Sequence, residues 1–481
     1  MENPKRCHHE DLLRDLPDVL IFDIFWRLPM TDVVGTSVLS KRWRNFWTTS
    51  PFLNFDNRAM LFGDDSKLRN FVNRALLRWN GKRVLKFKFN SRHMLASSMF
   101  NDVDSWVNFA QRNGVEEILL HVLCNPSTAR RDLDGKEVYC VPPCFYSCSS
   151  LKELSLKSCN LEIHGNVQWN KLESLKIYAF RTSADVVTQI LSATPRLKVF
   201  YLDYVDKGEN LSIQSTSLKK LCIYKYVLGQ EDLSVVSELR ICTPNLETLE
   251  IKGLPYKKYL LTDVSSLTLV FLGSVPLSSL ALVFHGSVPS DLVPYLQVWF
   301  SNALSQVFPS IQHAENVVLL DCCTKVLGAM KMKCSRSAFP NVKYLELRCG
   351  LHAYKKVVGV LEMFPRLNRL VIRDRKEDGH QDDPESVKFE ASLPHESFLL
   401  RLRTIDVTWS EGPGVFPLIE ALLKHASKLE EIVFQLNEIK LPAPSDSLFL
   451  VSQKLLGMRR SSTNCTINLT KSRLPSSERL R

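Results

Sequence analysis

The chain has 481 residues, 45% of them hydrophobic and 23% charged, which is enough apolar material for a large core and more than one domain. Its 62 Lys and Arg exceed 51 Asp and Glu for a formal charge of +11, an excess that favours acidic partners without requiring nucleic acid. The polar start Met1 to Asp15 lacks a secretory apolar core, no apolar run reaches the roughly 18 residues of a membrane span, and the thirteen cysteines mostly have apolar neighbours; a soluble protein of the cytosol or nucleus is expected.

The segment LPDVLIFDIFWRLPMTDVVGTSVLSKRWRNFW, Leu16 to Trp47, is punctuated as three short helices. Pro17 suits a first turn, Pro29 stops the first helix after Leu28, Thr31 with Asp32 starts the second, and Gly35 breaks it. The first helix is apolar nearly all round, so it needs cover on more than one side. In the third, Leu39, Trp43, Phe46 and Trp47 fall at i, i+4, i+7 and i+8 as one stripe, with Lys41, Arg44 and Asn45 opposite. A unit of roughly 35 to 40 residues does not bury this much alone, and a second polypeptide is the expected cover. The alternative is a helix-turn-helix reading DNA through Lys41, Arg42 and Arg44, which predicts a self-sufficient core that the apolar first helix contradicts.

Leu16-Pro17, Leu28-Pro29, Asp32-Val33-Val34 and Ser37-Val38-Leu39-Ser40-Lys41-Arg42-Trp43-Arg44 with Trp47 resemble the plant F-box. The resemblance implies docking on the Skp-type adaptor of a cullin-based (SCF) ubiquitin ligase, with Leu16, Pro17, Leu20, Ile24, Leu28, Pro29, Val33, Val34, Leu39, Trp43 and Trp47 at the family's core and adaptor-facing positions. The family's Asp-Arg-Ile start is here Asp11-Leu12-Leu13-Arg14.

Beyond RALLRWNGKRVLKFKFN (Arg74 to Asn90), which reads as helix then strand, one pattern recurs twelve times: apolar, two any, apolar, one any, apolar. It occurs at Val115/Ile118/Leu120, Leu151/Leu154/Leu156, Leu172/Leu175/Ile177, Leu197/Phe200/Leu202, Leu218/Leu221/Ile223 and Leu246/Leu249/Ile251. It continues at Val264/Leu267/Leu269, Leu277/Leu280/Leu282, Val342/Leu345/Leu347, Leu367/Leu370/Ile372, Leu402/Ile405/Val407 and Leu429/Ile432/Phe434. Several starts differ by about 20 to 28 residues, the period of leucine-rich repeats. TPRLKVF, TPNLETL, FPNVKYL and FPRLNRL introduce four strands alike, and helical stretches such as ADVVTQILSATP precede some. Each unit then hides its apolar face only against its neighbours, and stacking predicts a curved solenoid with parallel strands on its concave face. Only LKELSLKSCNL fits the full consensus, with Cys159 closing the turn. The gap from 282 to 342 holds a helix (Leu292 to Phe308) or two unread units.

DRKEDGHQDDPES (Asp374 to Ser386) interrupts the array as a charged loop. LPHESFLLRLRTIDVTW and GPGVFPLIEALLKHASKLEEIVFQ after it resemble the FBD module that closes many plant F-box proteins with leucine-rich repeats, and Leu450 to Leu469 resembles that family's closing helix and strand. The α/β chain thus divides into a mobile tail (1–10), an F-box (11–57), a connecting region with the first repeat (58–114), degenerate repeats (115–375), the charged loop (376–386), an FBD module (387–437) that caps the solenoid, a closing helix and strand (438–469) and a second mobile tail (470–481).

Cys140, Cys144 and Cys148 are spaced by four, wider than the C-x2-C of common iron-sulfur sites, and thiols packed between repeats are expected. Cys7, His8 and His9 lack a fourth metal ligand, and Cys322-Cys323 reads as core. A nucleophile elbow, a Walker loop, a dinucleotide fingerprint and an H-E-x-x-H helix are absent, so no catalytic residue, cofactor or metal is assigned. Any ubiquitin transfer is then performed by partners, this chain contributing proximity.

Residues alternating with the strand anchors face the target: Lys157, Tyr178, Tyr201, Asp203, Tyr224, Lys252, Arg348 and Arg373 are the candidate substrate-binding set, rich in the Tyr and Arg of binding hot spots. The expected function is that of a non-catalytic substrate receptor of an SCF-type ligase acting on an unidentified protein. The alternatives are a receptor that needs a small signalling molecule and a scaffold or nucleic-acid-binding repeat protein; no membrane partner is expected.

Overall fold

The computed structural model describes residues 16–56, 64–91, 95–123, 139–178, 183–205, 210–226, 237–253, 256–273, 302–320, 339–349, 360–361, 363–374, 399–409, 415–437 and 451–472. The first tail (1–10), the charged loop (376–386), residues 473–481 of the second tail, Leu277/Leu280/Leu282, Cys322 and Cys323 lie outside them, whereas 470–472, assigned to that tail, end the last strand. The chain forms two compact units, Met1–Val205 and Asp206–Arg481.

In the first unit, α1 (Asp18–Arg27) begins at Pro17 and carries Asp18 in its first turn and Arg27 in its last, complementing the helix dipole. Leu28 is extended, as the residue before a proline tends to be. α2 (Met30–Gly35) runs into a 3-10 turn over Thr36–Val38, and α3 (Trp43–Phe46) is one turn continued as 3-10 through Thr49. The stripe expected along a continuous third helix is therefore interrupted: Trp43 and Trp47 are buried, whereas Leu39 stands in the turn before α3, 53% exposed.

β1 (Phe52–Asp56) follows at once. α4 (Asp65–Arg78), capped by the Asp64 carboxylate accepting from Lys67 N, and β2 (Lys86–Asn90) come next, then α5 (Phe100–Arg112), β3 (Glu117–His121) and β4 (Tyr139–Cys140). β5 (Glu153–Lys157), β6 (Cys159–Asn160), β7 (Ser174–Tyr178), α6 (Ala184–Ala193) and β8 (Val199–Val205) complete the unit. Its main sheet has the order β1-β2-β3-β5-β7-β8, all parallel. The last residues assigned to the F-box thus already form the first sheet strand. Cys159 is fully buried and its thiol donates to Lys157 O at 3.3 Å, at the turn where Ser158 takes a positive φ of 56°.

The second unit holds β9 (Leu211–Gln214), β10 (Lys220–Tyr226), β11 (Glu238–Cys242), β12 (Thr248–Lys252), β13 (Lys258–Thr262) and β14 (Leu269–Gly273). β15 (Asn316–Leu320), β16 (Tyr344–Cys349), β17 (Arg369–Asp374), β18 (Thr404–Trp409), α7 (Val415–His425), β19 (Glu431–Asn437) and β20 (Thr466–Ser472) follow. The order is β10-β12-β14-β15-β16-β17-β18-β19-β20, again parallel, and β13-β11-β9 form a separate small parallel sheet. The open sheets make the chain α/β, an amino-terminal helical module followed by repeats.

Three details depart from the sequence-based frame. In the repeat read as Val264/Leu267/Leu269, the strand's inward residues are Val270 and Leu272, both fully buried, so the unit is Leu267/Val270/Leu272. A shift of three residues turns Leu269 to the opposite face. Among its described residues the long gap contains one further strand, β15, with Val317 and Leu319 inward, and residues 302–307 are helical within the span expected to be helix. The small sheet was not anticipated, because β11 and β13 pack against one another outside the main register.

Candidate functional site

The helical module builds a closed interior and leaves one side of it open. Phe25 meets Trp43 edge-on at 5.7 Å, Phe22 stacks on Phe46 at 4.8 Å, and Ile21, Met30, Val33 and Trp47 are sealed with them. Arg42 ties the ends together, donating to Leu16 O at 2.8 Å and pairing with Asp18 at 2.5 Å. Part of the cover comes from the same chain: Asn54 on β1 donates from Nδ2 to Trp26 O (3.1 Å) and Leu28 O (2.9 Å), capping α1, and Trp26 lies 6.0 Å from Phe52.

On the module's surface stand Val38 (87% exposed), Val19 (77%), Leu20 (51%), Leu39 (53%) and Ile24 (38%). Clustered large apolar side chains in solvent mark an interaction surface more than scattered ones do. Of the positions assigned to the adaptor, Pro17, Leu20, Ile24 and Leu39 are on the surface, Leu16, Leu28, Pro29 and Val34 are half-buried, and Val33, Trp43 and Trp47 belong to the module's own interior. Those last three take the core part of that assignment: a side chain 2% to 5% exposed shapes the surface from beneath it. Val19 and Val38, not assigned to contact from sequence, are its most exposed members.

The second candidate surface is the outward side of the sheets, where residues alternate with the buried anchors. In the first unit, register places Lys157, Tyr178 and Asp203 in one row and Lys176 beside Tyr201 in the next. The Tyr178 and Tyr201 rings lie 4.5 Å apart. Burial pushes the Asp203 carboxyl up to about 7, only partly opposed by the Lys157 charge.

In the second unit, register pairs Tyr224 with Lys252 and Arg348 with Arg373. Lys252 donates to Tyr224 Oη at 2.6 Å and pairs with Glu250 at 2.6 Å; Tyr224 Oη donates to Glu250 in turn, and the Cys222 thiol donates to Glu250 Oε2 at 3.4 Å. Arg348 and Arg373 each donate from Nε to Glu346 Oε1 at 2.7 Å, and Tyr344 Oη donates to Oε2 at 2.8 Å. Burial raises both glutamates, but the ring of donors outweighs it and holds each carboxyl below the ordinary value. Glu346 and Tyr344 were not singled out from sequence; for Glu346 the signal was an acidic residue two before a basic one in LELR, as in LEIK, which a strand places on one face.

Cys140 is exposed on β4, Cys144 is half-buried in a 3-10 turn and Cys148 is buried at that turn's end. Among the described residues, no group of three or more His, Cys, Asp or Glu is placed to hold a metal, and no helix is long and apolar enough to cross a membrane.

Comparison with known families identifies two domains in the chain. Residues 13–55 match the F-box domain and residues 103–275 match the leucine-rich repeats of the FBD-associated F-box protein At5g56370. The chain is therefore an F-box protein with leucine-rich repeats, two protein-interaction modules in series. Its relatives narrow the class further. The Arabidopsis thaliana F-box/FBD/LRR-repeat protein At1g13570 is 29% identical over 56% of this chain, the match spanning only 60% of that protein's length. F-box/LRR-repeat protein At3g03360 is 26% identical over 89% of this chain and 85% of its own, and FBD-associated F-box protein At5g22730 is 24% identical over 95% and 94%, both from the same plant. The chain is similar to these plant F-box/FBD/LRR-repeat proteins.

Proposed function

We propose that this protein is a non-catalytic substrate receptor of an SCF-type ubiquitin ligase, working in the nucleus or cytoplasm. The F-box docks on a Skp-type adaptor and through it a cullin, and the outward strand faces bind the protein to be ubiquitinated. The observation that carries this reading is that Val19, Leu20, Ile24, Val38 and Leu39 are exposed while Phe25, Trp43 and Trp47 are buried in the module's interior: the module keeps large apolar side chains in solvent, which a partner would cover. The target would be held near the conjugating enzyme, so acceleration arises from proximity.

The test is co-purification of the full chain with a Skp-type adaptor. Leu20→Asp and Leu39→Asp should abolish recovery without unfolding the protein; undiminished recovery with both would overturn the reading. Trp43→Asp is unsuitable, because it buries a charge in the module's interior.

A further inference from the structure

The second unit's outward face carries the Arg348–Arg373 cluster around Glu346 at one end of an apolar floor and Lys252, paired with Glu250, at the other. Register sets Glu250, Phe271, Val318, Glu346 and Val371 side by side in one row, and in the next row Lys252 beside Gly273 and Leu320 beside Arg348 and Arg373. Lys252 and Arg348 are three strand spacings apart, about 14 Å. Between them Phe271 and Leu320 are half-buried and Val318 is buried. Leu320 leans over Gly273 so closely that a Cβ at that glycine would overlap it, and the glycine thus fixes the shape of the floor.

The cations at either end are held in place. Glu346 is 5% exposed and orients two guanidiniums through one oxygen, leaving a surplus positive charge there. Glu250 and Tyr224 pin Lys252, whose Nζ lies 4.4 Å from the Tyr224 ring centroid. In the main sheet, the described outward residues of β10, β12 and β14 to β18 include the cations Lys220, Lys252, Arg348, Arg369 and Arg373 and the carboxylates Glu250, Glu346 and Asp406, five against three. A floor of this kind matches an anionic partner with an apolar centre.

Resting on the receptor reading above, we propose that this face recognises an extended peptide segment of the target in which an apolar side chain lies between two carboxylates, in the pattern Glu-x-Phe-x-Glu or its Asp and Leu equivalents. In an extended chain, residues i, i+2 and i+4 share one side and i to i+4 spans about 13 Å. One acid then reaches Lys252, the ring settles on Phe271 and Leu320, and the second acid completes the coordination of Arg348 and Arg373.

The test is fluorescence anisotropy of the full chain with a labelled Glu-x-Phe-x-Glu peptide, its Gln-x-Phe-x-Gln and Glu-x-Ser-x-Glu analogues, and a phosphoserine version. Both neutralised and Ser-centred peptides should bind about tenfold or more weakly. Arg373→Gln and Lys252→Met should each weaken the acidic peptide by a similar factor, with Arg373→Lys restoring part. If Arg373→Gln fails to fold, Lys252→Met decides. Equal binding of acidic and neutral peptides, tighter binding of the phosphoserine peptide, or full displacement by single-stranded RNA would overturn the proposal. Capture of ubiquitinated proteins separates the two levels. A set lost with Leu20→Asp but unchanged with Lys252→Met sinks this assignment alone; a set unchanged in both sinks the receptor reading as well.

Discussion

Arg373 on β17 crosses to β16 and donates from Nε to Glu346 Oε1 at 2.7 Å, the same oxygen that Arg348 binds from within β16. One carboxylate therefore fastens two strands and orients two cations. Removing the negative charge leaves both guanidiniums facing each other in a half-buried place. Glu346→Gln should cost about 2 to 4 kcal/mol of stability, seen as a lower denaturation midpoint near neutral pH. Because the folded carboxyl is held below its ordinary value, its contribution is complete above the unfolded pKa and is lost as pH falls through the folded one. Wild type and variant should converge in stability as the pH is lowered below about 4; a constant gap would refute the assignment.

Asp203 behaves oppositely. Its carboxyl is pushed up to about 7 by burial, so between the unfolded value and 7 the folded state holds a proton that the unfolded state has released. Stability contributed by this group is complete at acid pH, falls as pH rises through that window, and is level above it. Asp203→Asn should flatten the decline, leaving the protein roughly 2 to 4 kcal/mol more stable than wild type at pH 8. Urea titrations from pH 4 to 8 give the slope directly.

Asn54 joins the helical module to the sheet, satisfying two carbonyls at the end of α1 from β1. Asn54→Ala should cost about 1 to 3 kcal/mol and raise hydrogen exchange selectively in residues 18–28. Unaltered exchange there would show that the cap is dispensable.

Surface and interior positions of the module should separate cleanly. Leu20→Asp changes an exposed side chain and should leave thermal stability within about 0.5 kcal/mol while eliminating adaptor binding. Trp43→Ala empties the interior beside Phe25 and should cost about 3 to 5 kcal/mol. Equal destabilisation by both would mean that Leu20 is buried in solution.

The strands were legible because apolar residues two apart must face one core, and Leu154/Leu156, Leu249/Ile251 and Ile405/Val407 are each buried on strands with parallel neighbours. The slip at Leu269 had the same origin: in LTLVFLG every second choice offers an apolar residue, and only neighbouring strands decide which set turns inward. The placement of Leu39 was hidden because a helical spacing describes an exposed stripe as readily as a buried one, and the turn before α3 breaks the spacing altogether.

What the sequence by itself determined is the modular order and the strand repeat, both local consequences of proline punctuation and hydrophobic period. Only the tertiary structure decided that Glu346 gathers Arg348 and Arg373, that Leu320 rests over Gly273, and that Val19 and Val38 remain in solvent while Trp43 and Trp47 do not. The physical reason is that these outcomes depend on register between segments far apart in the chain, and the alternation within any one strand carries no information about which residue will lie beside it.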